Sequence, residues 1–159
     1  MKISIKKGLG FGLTSGIITT LGLIIGLYSS TNSKLVVIGG ILTIAIADAF
    51  SDALGMHMSE EYSRKQKSNS IWEATISTFI SKFAFALTFI VPVLALNLGL
   101  AVIVSIIWGL SLIIIFSYIM AKEEKIKPIK VIREHLLIAI IVVIATYYVG
   151  KLIDIWFGV

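Results

Sequence analysis

The sequence contains no cysteine and little charge. Without cysteine, the 159-residue chain can form neither disulfides nor thiolate metal sites, and thiol redox chemistry is excluded. Charged residues make up 14% of the chain, whereas soluble domains carry roughly a quarter. Hydrophobic residues make up 57% and occur in runs too long for a soluble core. This composition predicts an integral membrane protein.

Sequence signatures of the common enzyme classes are also missing. The chain has no Walker loop, no dinucleotide-binding glycine pattern and no HExxH motif. Its two histidines form no recognisable set with serine and aspartate. We therefore expect a protein that is not an enzyme and that holds no bound cofactor.

Five apolar stretches are each long enough to cross a bilayer, which requires about 20 residues. The predicted spans are residues 9–28, 35–58, 71–94, 98–121 and 136–157. Because the links between them are short, neighbouring helices should run antiparallel. The spans use most of the chain, so we predict one all-α transmembrane domain over residues 1–159. Pro128 is expected to begin a short amphipathic piece that lies at the membrane surface before the fifth span.

Lysine and arginine are distributed unevenly among the links. Eleven lie before span one and in the second and fourth links, namely Lys2, Lys6, Lys7, Arg64, Lys65, Lys67, Lys122, Lys125, Lys127, Lys130 and Arg133. The opposite side has only Lys34 and Lys151. Since cytoplasmic loops carry the excess, we predict a multi-pass protein of the cell membrane with the N-terminus in the cytoplasm and the C-terminus outside. Basic residues so placed face anionic lipid, and no nucleic-acid partner is expected.

The second predicted span carries acidic residues that a lipid-facing helix would not. Asp48, Asp52, Met56 and Glu60 recur every four residues and therefore share one helix face. An ionised aspartate at mid-membrane costs a few kcal/mol, and two of them one turn apart repel each other. Such a pair is tolerated when it shares a proton, meets a cation or binds a metal. With His57 nearby, the donor types suit a borderline divalent transition metal better than magnesium.

Plainer interpretations stand beside this one. Asp48 and Asp52 could form buried hydrogen bonds with serine and threonine side chains, and His57 could lie at the lipid headgroups. Glu60, Glu61 and Glu73 lie near the cytoplasmic link, where solvated charge is the ordinary interpretation. These residues are otherwise candidates for a cytoplasmic entrance that attracts cations.

Lys82 is the one basic residue in the third predicted span. Counted from the intervening link at about 1.5 Å per residue, it lies at a depth similar to that of Asp52. An ion pair with Asp52 or Asp48 would neutralise a costly charge. Such a pair competes with metal binding, yet it could equally be a coupling device that is released when a cation or proton arrives. The sequence leaves both possibilities open.

Small residues follow one face of the first predicted span. They are Gly12, Ser15, Gly16, Thr19, Gly22 and Gly26. Small residues at this spacing let another helix approach closely. The face could pack within one subunit, or it could form the interface of a homodimer.

The chain resembles the vacuolar iron transporter family, whose members move iron and manganese. Residues 12–26 look like the first helix of that family, which has a GxxDGxxTT-like run, and residues 51–59 look like its second, commonly SMAxGExxS. Residues 127–152 are similar to its last helix and the linker before it, and Pro92 falls where its third helix has a proline. The resemblance covers nearly the whole chain in order and topology.

This resemblance implies a five-helix homodimer that exports ferrous iron or a similar metal from the cytoplasm, usually in exchange for protons. The family's translocation site lies between the first two helices near the subunit interface, and it uses an Asp on the first and a Met and a Glu on the second. Here Ser15 stands at the position of that Asp, Asp52 at that of the Met and Met56 at that of the Glu. The link between spans two and three is too short for the family's cytoplasmic metal-binding domain, so the chain is a minimal form.

Three functions remain open from the sequence. The first is export of a divalent metal, with Asp48, Asp52, Met56 and Glu60 as ligands and with Ser15 and Thr19 as the facing wall. The second is proton-coupled transport of another small solute by the cluster of Asp48, Asp52 and Lys82. The third is a non-transporting membrane subunit or metal sensor.

Overall fold

The computed structural model describes residues 2–63 and 68–158, and this part of the chain is helical throughout apart from short links. Its elements are α1 (Ile3–Thr31), α2 (Lys34–Thr43), a π-helical turn (Ile44–Asp48), α3 (Ala49–Tyr62), α4 (Ser68–Thr88), α5 (Ile90–Ala95), α6 (Leu98–Glu123) and α7 (Pro128–Phe157). The all-α prediction is confirmed.

Five helical stretches of the described chain are long and apolar enough to cross a membrane. They are Ile3–Thr31, Lys34–Tyr62, Ser68–Ala95, Leu98–Glu123 and Pro128–Phe157. The second combines α2, the π turn and α3, and the third combines α4 and α5. Each stretch contains one predicted span and extends beyond it, because a helix continues past the apolar run until a capping or breaking residue ends it. The protein is a multi-pass membrane protein.

The predicted surface piece before the fifth span is wrong as a separate element. Pro128 does begin a helix, where its missing N–H is no loss. That helix then continues without a break to Phe157, since neither proline nor glycine interrupts it before Gly150. The amphipathic residues after Pro128 are therefore the first turns of α7.

Helix α1 is the centre of the bundle and packs against α4 and α7 along its length, with further contacts to α2 and α6. Ile17 and Ile24 on α1 are completely buried. A Cβ added at Gly12 would lie 2.3 Å from the Thr78 carbonyl oxygen on α4, and one at Gly22 would lie 3.0 Å from Val142 on α7. The small-residue face of span one therefore serves packing within one chain, and a homodimer stays a prediction.

Two irregularities interrupt the second and third spans. The π turn adds a residue to one turn of the second span just before α3, and such bulges are frequent at functional sites. The third span breaks at Phe89, between α4 and α5. Pro92 has no N–H to donate to the carbonyl of Thr88 four residues earlier, and its ring crowds that carbonyl. At the break, the Phe89 N–H donates to the carbonyl of Ala86, three residues earlier, at 3.2 Å.

Ion pairs identify which helix ends lie together. Lys2 pairs with Glu73 on α4, and Lys6 lies 2.7 Å from a carboxylate oxygen of Glu123 on α6. The start of α1 therefore lies beside the start of α4 and the end of α6, as expected when consecutive spans alternate in direction. Three residues that contribute to the predicted charge bias, Arg64, Lys65 and Lys67, lie outside the described residues.

Candidate functional site

Three charged side chains meet at the middle of the bundle. The Lys82 ammonium lies 2.5 Å from Oδ2 of Asp48 and 2.5 Å from Oδ2 of Asp52. It also donates a hydrogen bond of 2.9 Å to Oγ of Ser15. We call these four residues the charge cluster. It joins α1, the second span and α4, and it includes both partners that the sequence offered for Lys82.

The charge cluster lies deep within the spans. Asp48 is 14 residues from Lys34 and 14 from Tyr62, the two ends of the second span, or about 21 Å from each at 1.5 Å per residue. The Lys82 side chain is only 1% exposed. A buried, unpaired ammonium would be costly at this depth, so the two carboxylates account for the lysine being tolerated there.

The charges in the cluster do not balance. Two carboxylates and one ammonium leave a formal charge of −1 when all three groups are ionised. Oδ2 of Asp52 accepts a hydrogen bond from Lys82, whereas Oδ2 of Asp48 accepts none from the described residues. The contact between Lys82 and Asp48 is therefore an ion pair without hydrogen-bond geometry. A proton or a further cation would be attracted to this site.

Local backbone features place each member of the charge cluster. Gly16 lies against the Lys82 stem, and a Cβ there would lie 3.0 Å from the Lys82 carbonyl oxygen and 3.3 Å from its Cγ. A glycine thus lets α1 and α4 approach closely enough for Ser15 to reach the ammonium. Asp48 ends the π turn, and Asp52 follows it by one turn of α3.

An open groove of about 770 Å³ runs between α1 and the second span and reaches the charge cluster at Asp48. Its lining is mostly apolar, with a few polar side chains. The lining residues are Thr19, Leu23, Leu27, Val36, Gly40, Thr43, Ile44, Ala47, Asp48 and Ser51. The side chain of Asp48 is 31% exposed and that of Asp52 is 19% exposed. The carboxylates are therefore not sealed by the lysine, and Thr19 shares the groove with Asp48, as the sequence suggested.

The remaining candidate residues of the second span lie apart from the cluster. Glu60 lies eight residues beyond Asp52, or about 12 Å along the helix, and its Oε1 accepts a hydrogen bond of 3.1 Å from Lys7. Met56 lies between the two, partly buried. Over the described residues, no three His, Asp or Glu side chains come together as a metal-binding group. Three protein ligands from these residue types are thus not preassembled.

The candidate entrance residues pair with other groups. Glu73 accepts hydrogen bonds from Lys2 and from Oγ of Ser4, the latter at 2.7 Å. His57 Nδ1 lies 3.0 Å from Oγ1 of Thr75 on α4, and its Nε2 is 3.9 Å from Glu61. Glu60 and Glu73 are therefore neutralised by the start of α1, and His57 binds its neighbouring helix rather than the cluster.

Sequence reasoning missed several features of the site. Ser15 was expected only as a wall, yet its hydroxyl is the third partner of Lys82. The π turn has no proline or glycine to mark it. Thr20 and Ser105 are fully buried, and their hydroxyls have no hydrogen-bond partner among the described residues. No signal in one sequence distinguishes such hydroxyls from those that bond to their own helix.

Comparison with known proteins identifies a family. A family model described as the VIT family matches residues 52–151. This match covers well over half of the chain and runs from Asp52 through most of α7. No curated protein matches the sequence. The first span and the second span as far as Ser51, which includes Asp48, lie outside the matched residues.

Proposed function

The chain belongs to the VIT family, and from this premise we propose that it is a membrane transporter of a divalent transition metal. In this proposal it moves an ion such as Fe²⁺ or Mn²⁺ out of the cytoplasm in exchange for protons. The link from Tyr62 to Ser68 leaves no room for a further domain between the second and third spans, so the chain is a minimal member. In this proposal the metal is the transported substrate, and no cofactor is required.

One observation carries the proposal. Two carboxylates lie one turn apart at the centre of the bundle, beside an open groove. Their formal negative charge is larger by one than the positive charge of Lys82. Carboxylate oxygens bind divalent metals, and a thioether one turn away would add a softer ligand. We call Asp48 and Asp52 the acid pair and assign them as the primary cation ligands. Met56 is assigned as the soft ligand. Glu60, which lies on the same helix face but pairs with Lys7, would be a ligand at a separate position along the pathway.

The polar residues near the acid pair would form the facing wall of the pathway. Thr19 and Ser51 line the groove together with Asp48. Their hydroxyls can replace part of the hydration shell as a metal loses water, without adding charge. Ser15 and Thr19 on α1 are one turn apart and belong to this wall.

Orientation and direction follow from the loop charges. The side on which α1 begins carries most of the lysine and arginine residues of the links, which supports a cytoplasmic N-terminus. Glu60, Glu61 and Glu73 lie toward that side. Glu61 is 62% exposed and is the most accessible of the three to an arriving cation. Export then runs from this entrance past Met56 to the acid pair.

We also propose that the transporter is a homodimer. All glycines of α1 except Gly10 pack against other helices of the same chain, whereas the groove between α1 and the second span is open. The resemblance to the family implies a subunit interface near these two helices, which supports this proposal. A second copy over the groove would enclose Asp48 on the side where it is now exposed.

The decisive test is metal flux in proteoliposomes loaded with a pH-sensitive dye. The wild-type protein is offered Fe²⁺, Mn²⁺, Co²⁺ and Zn²⁺ in turn, and the accepted metal is then used with Asp52→Ala. We expect the mutant to remain folded and to lose metal-dependent flux to the level of empty liposomes, since half of the acid pair is gone. Wild-type flux in Asp52→Ala would refute the proposal.

A second function is favoured by the position of Lys82. Its ammonium already contacts both carboxylates of the acid pair. A proton-coupled transporter of another small solute could use this cluster of three ionisable groups. Proton movement that is independent of metal and is abolished by Lys82→Ala would support this alternative. Saturable metal binding without any flux would instead indicate a sensor or a non-transporting subunit.

A further inference from the structure

The Lys82 ammonium occupies the position that a transported cation would need. It contacts one oxygen of each aspartate at 2.5 Å and the Ser15 hydroxyl at 2.9 Å. Its side chain is almost completely buried. The ammonium therefore lies between the two proposed metal ligands.

We propose that Lys82 is the internal counter-cation of the transporter, so that its ammonium and the metal occupy the acid pair alternately. The inference rests on the proposed function and concerns how the empty carrier returns. With metal bound, the ammonium is displaced from the carboxylates. When the metal leaves, the ammonium takes its place, and the empty site returns with one proton on the negative charge that remains.

Charge explains why the two cations exclude each other. With Lys82 in place, the charge cluster has a formal charge of −1, and adding a divalent metal would bring it to +1. The metal and the ammonium would share the same two carboxylates in a low-dielectric interior, where their repulsion is twice that of two single charges. Binding of a divalent metal therefore requires the ammonium to move.

The same charges explain why the empty site needs the lysine. Without the ammonium, two carboxylates would face each other near the middle of the membrane, where they repel each other and are poorly solvated. A carrier in that state would have to keep a metal or acquire two protons before it could change conformation. Lys82 removes most of this penalty from within the chain.

The geometry permits the exchange. The groove reaches Asp48 from between α1 and the second span, while the Lys82 stem is packed against Gly16 at the interface of α1 and α4. The metal and the lysine thus approach the carboxylates from different sides. The flexible four-carbon stem of lysine allows a short withdrawal of the ammonium from the carboxylates and from Ser15.

This arrangement predicts different effects on two modes of transport. Net efflux requires the empty carrier to return, whereas exchange of internal for external metal does not. Lys82→Met keeps an unbranched side chain, shortened by the terminal nitrogen, and removes its charge. We expect the mutant to bind Mn²⁺ at least tenfold more tightly, to retain exchange of radioactive for unlabelled Mn²⁺, and to lose at least nine-tenths of net Mn²⁺ efflux.

The experiment measures Mn²⁺ binding to the purified protein, together with both transport modes in proteoliposomes. Lys151→Met is the matched control, because Lys151 pairs with Asp154 on the exposed surface of α7, and it should leave all three quantities unchanged. Unaltered net efflux in Lys82→Met, or Mn²⁺ affinity equal to or weaker than wild type, would overturn the inference. Absence of both binding and flux in the wild-type protein for Fe²⁺, Mn²⁺, Co²⁺ and Zn²⁺ alike would instead refute the proposed function.

A second variant covers the case in which Lys82→Met does not fold. Ser15→Ala keeps all three charges and removes one hydrogen bond that holds the ammonium in place. The ammonium is then displaced more readily, and we expect Mn²⁺ to bind several-fold more tightly. Mn²⁺ affinity in folded Ser15→Ala that is unchanged or weaker would contradict the counter-cation role.

Discussion

Three lysines of this protein differ in the partners that their ammonium groups bind and in how deeply they are buried. The Lys82 ammonium is buried between two aspartates. Lys34 donates hydrogen bonds of 3.1 and 3.0 Å to the carbonyls of Leu94 and Leu96. It thereby ties the start of α2 to the end of α5, where helix carbonyls lack partners and carry partial negative charge. Lys151, by contrast, forms one exposed pair on its own helix.

Stability should therefore respond differently to the same substitution at two lysines. Lys34→Met removes two charge-assisted hydrogen bonds between spans, and we expect it to lower the free energy of unfolding by about 1–2 kcal/mol. Lys151→Met removes an exposed i,i+3 pair worth at most about 0.5 kcal/mol. Thermal unfolding in one detergent, followed by tryptophan fluorescence, would compare the two. A smaller loss in Lys34→Met than in Lys151→Met would contradict the proposed tie between α2 and α5.

Neutralising one carboxylate of the charge cluster tests whether Asp48 binds metal. Asp48→Asn leaves one carboxylate for the one ammonium, which balances the charge that the wild-type site leaves at −1. We expect the variant to stay folded, because Asp52 still accepts the hydrogen bond from Lys82. Metal binding should fall at least tenfold, since one anionic ligand is gone and the lysine neutralises the other. Equilibrium binding of Mn²⁺ measures this, and undiminished affinity would exclude Asp48 as a ligand.

Helix α1 shows how one element can serve several neighbours. Apart from Gly10, its glycines lie against α4 in the first half of the helix and against α7 in the second, so backbones approach closely on both sides. Close approach replaces the hydrophobic effect as the source of association inside a bilayer. It also places Ser15 beside Lys82 and leaves the other side of α1 to line the groove.

Two glycines on α1 provide a matched test of this packing. A Cβ at Gly12 would lie 2.3 Å from the backbone carbonyl of Thr78, whereas one at Gly10 would meet nothing within 4 Å. Gly12→Ala must push α4 away, and overpacking of this kind costs about 1–3 kcal/mol. Gly10→Ala should be neutral or stabilising by up to about 1 kcal/mol, because alanine is the better helix former. Melting temperatures of the two variants in the same detergent decide; equal values would refute tight packing at Gly12.

On the scale of the whole molecule, ion pairs link the start of α1 to α3, α4 and α6. Lys2, Lys6 and Lys7 each contact a different helix, through Glu73, Glu123 and Glu60 respectively. The contacts gather the proposed cytoplasmic ends of four helices around one segment. The opposite end is held by Lys34 at the end of α5. An antiparallel bundle with two distinct faces results, and its charge asymmetry predicts which face is cytoplasmic.

The absence of cysteine from the sequence makes this orientation directly testable. Single cysteines at Lys127 and Phe157, both exposed, place one thiol at each end of α7. In intact cells, a thiol reagent that cannot cross membranes should label Phe157→Cys and leave Lys127→Cys unlabelled. Cell lysis, as the control, should expose both thiols. Labelling of Lys127→Cys alone in intact cells would reverse the predicted topology.

The sequence by itself determined the class of the protein, its five spans and the acidic face of the second one. Bilayer thickness sets the length of an apolar run, and the helical repeat places residues four apart on one face; both are local properties of a chain. Only the tertiary structure decided that Lys82 contacts both aspartates and Ser15, which are 30 to 67 residues away. It also decided that the glycines of α1 pack within the chain and that a groove reaches Asp48. These features depend on how each helix is rotated and where it crosses its neighbours, which is set by side-chain packing between distant segments.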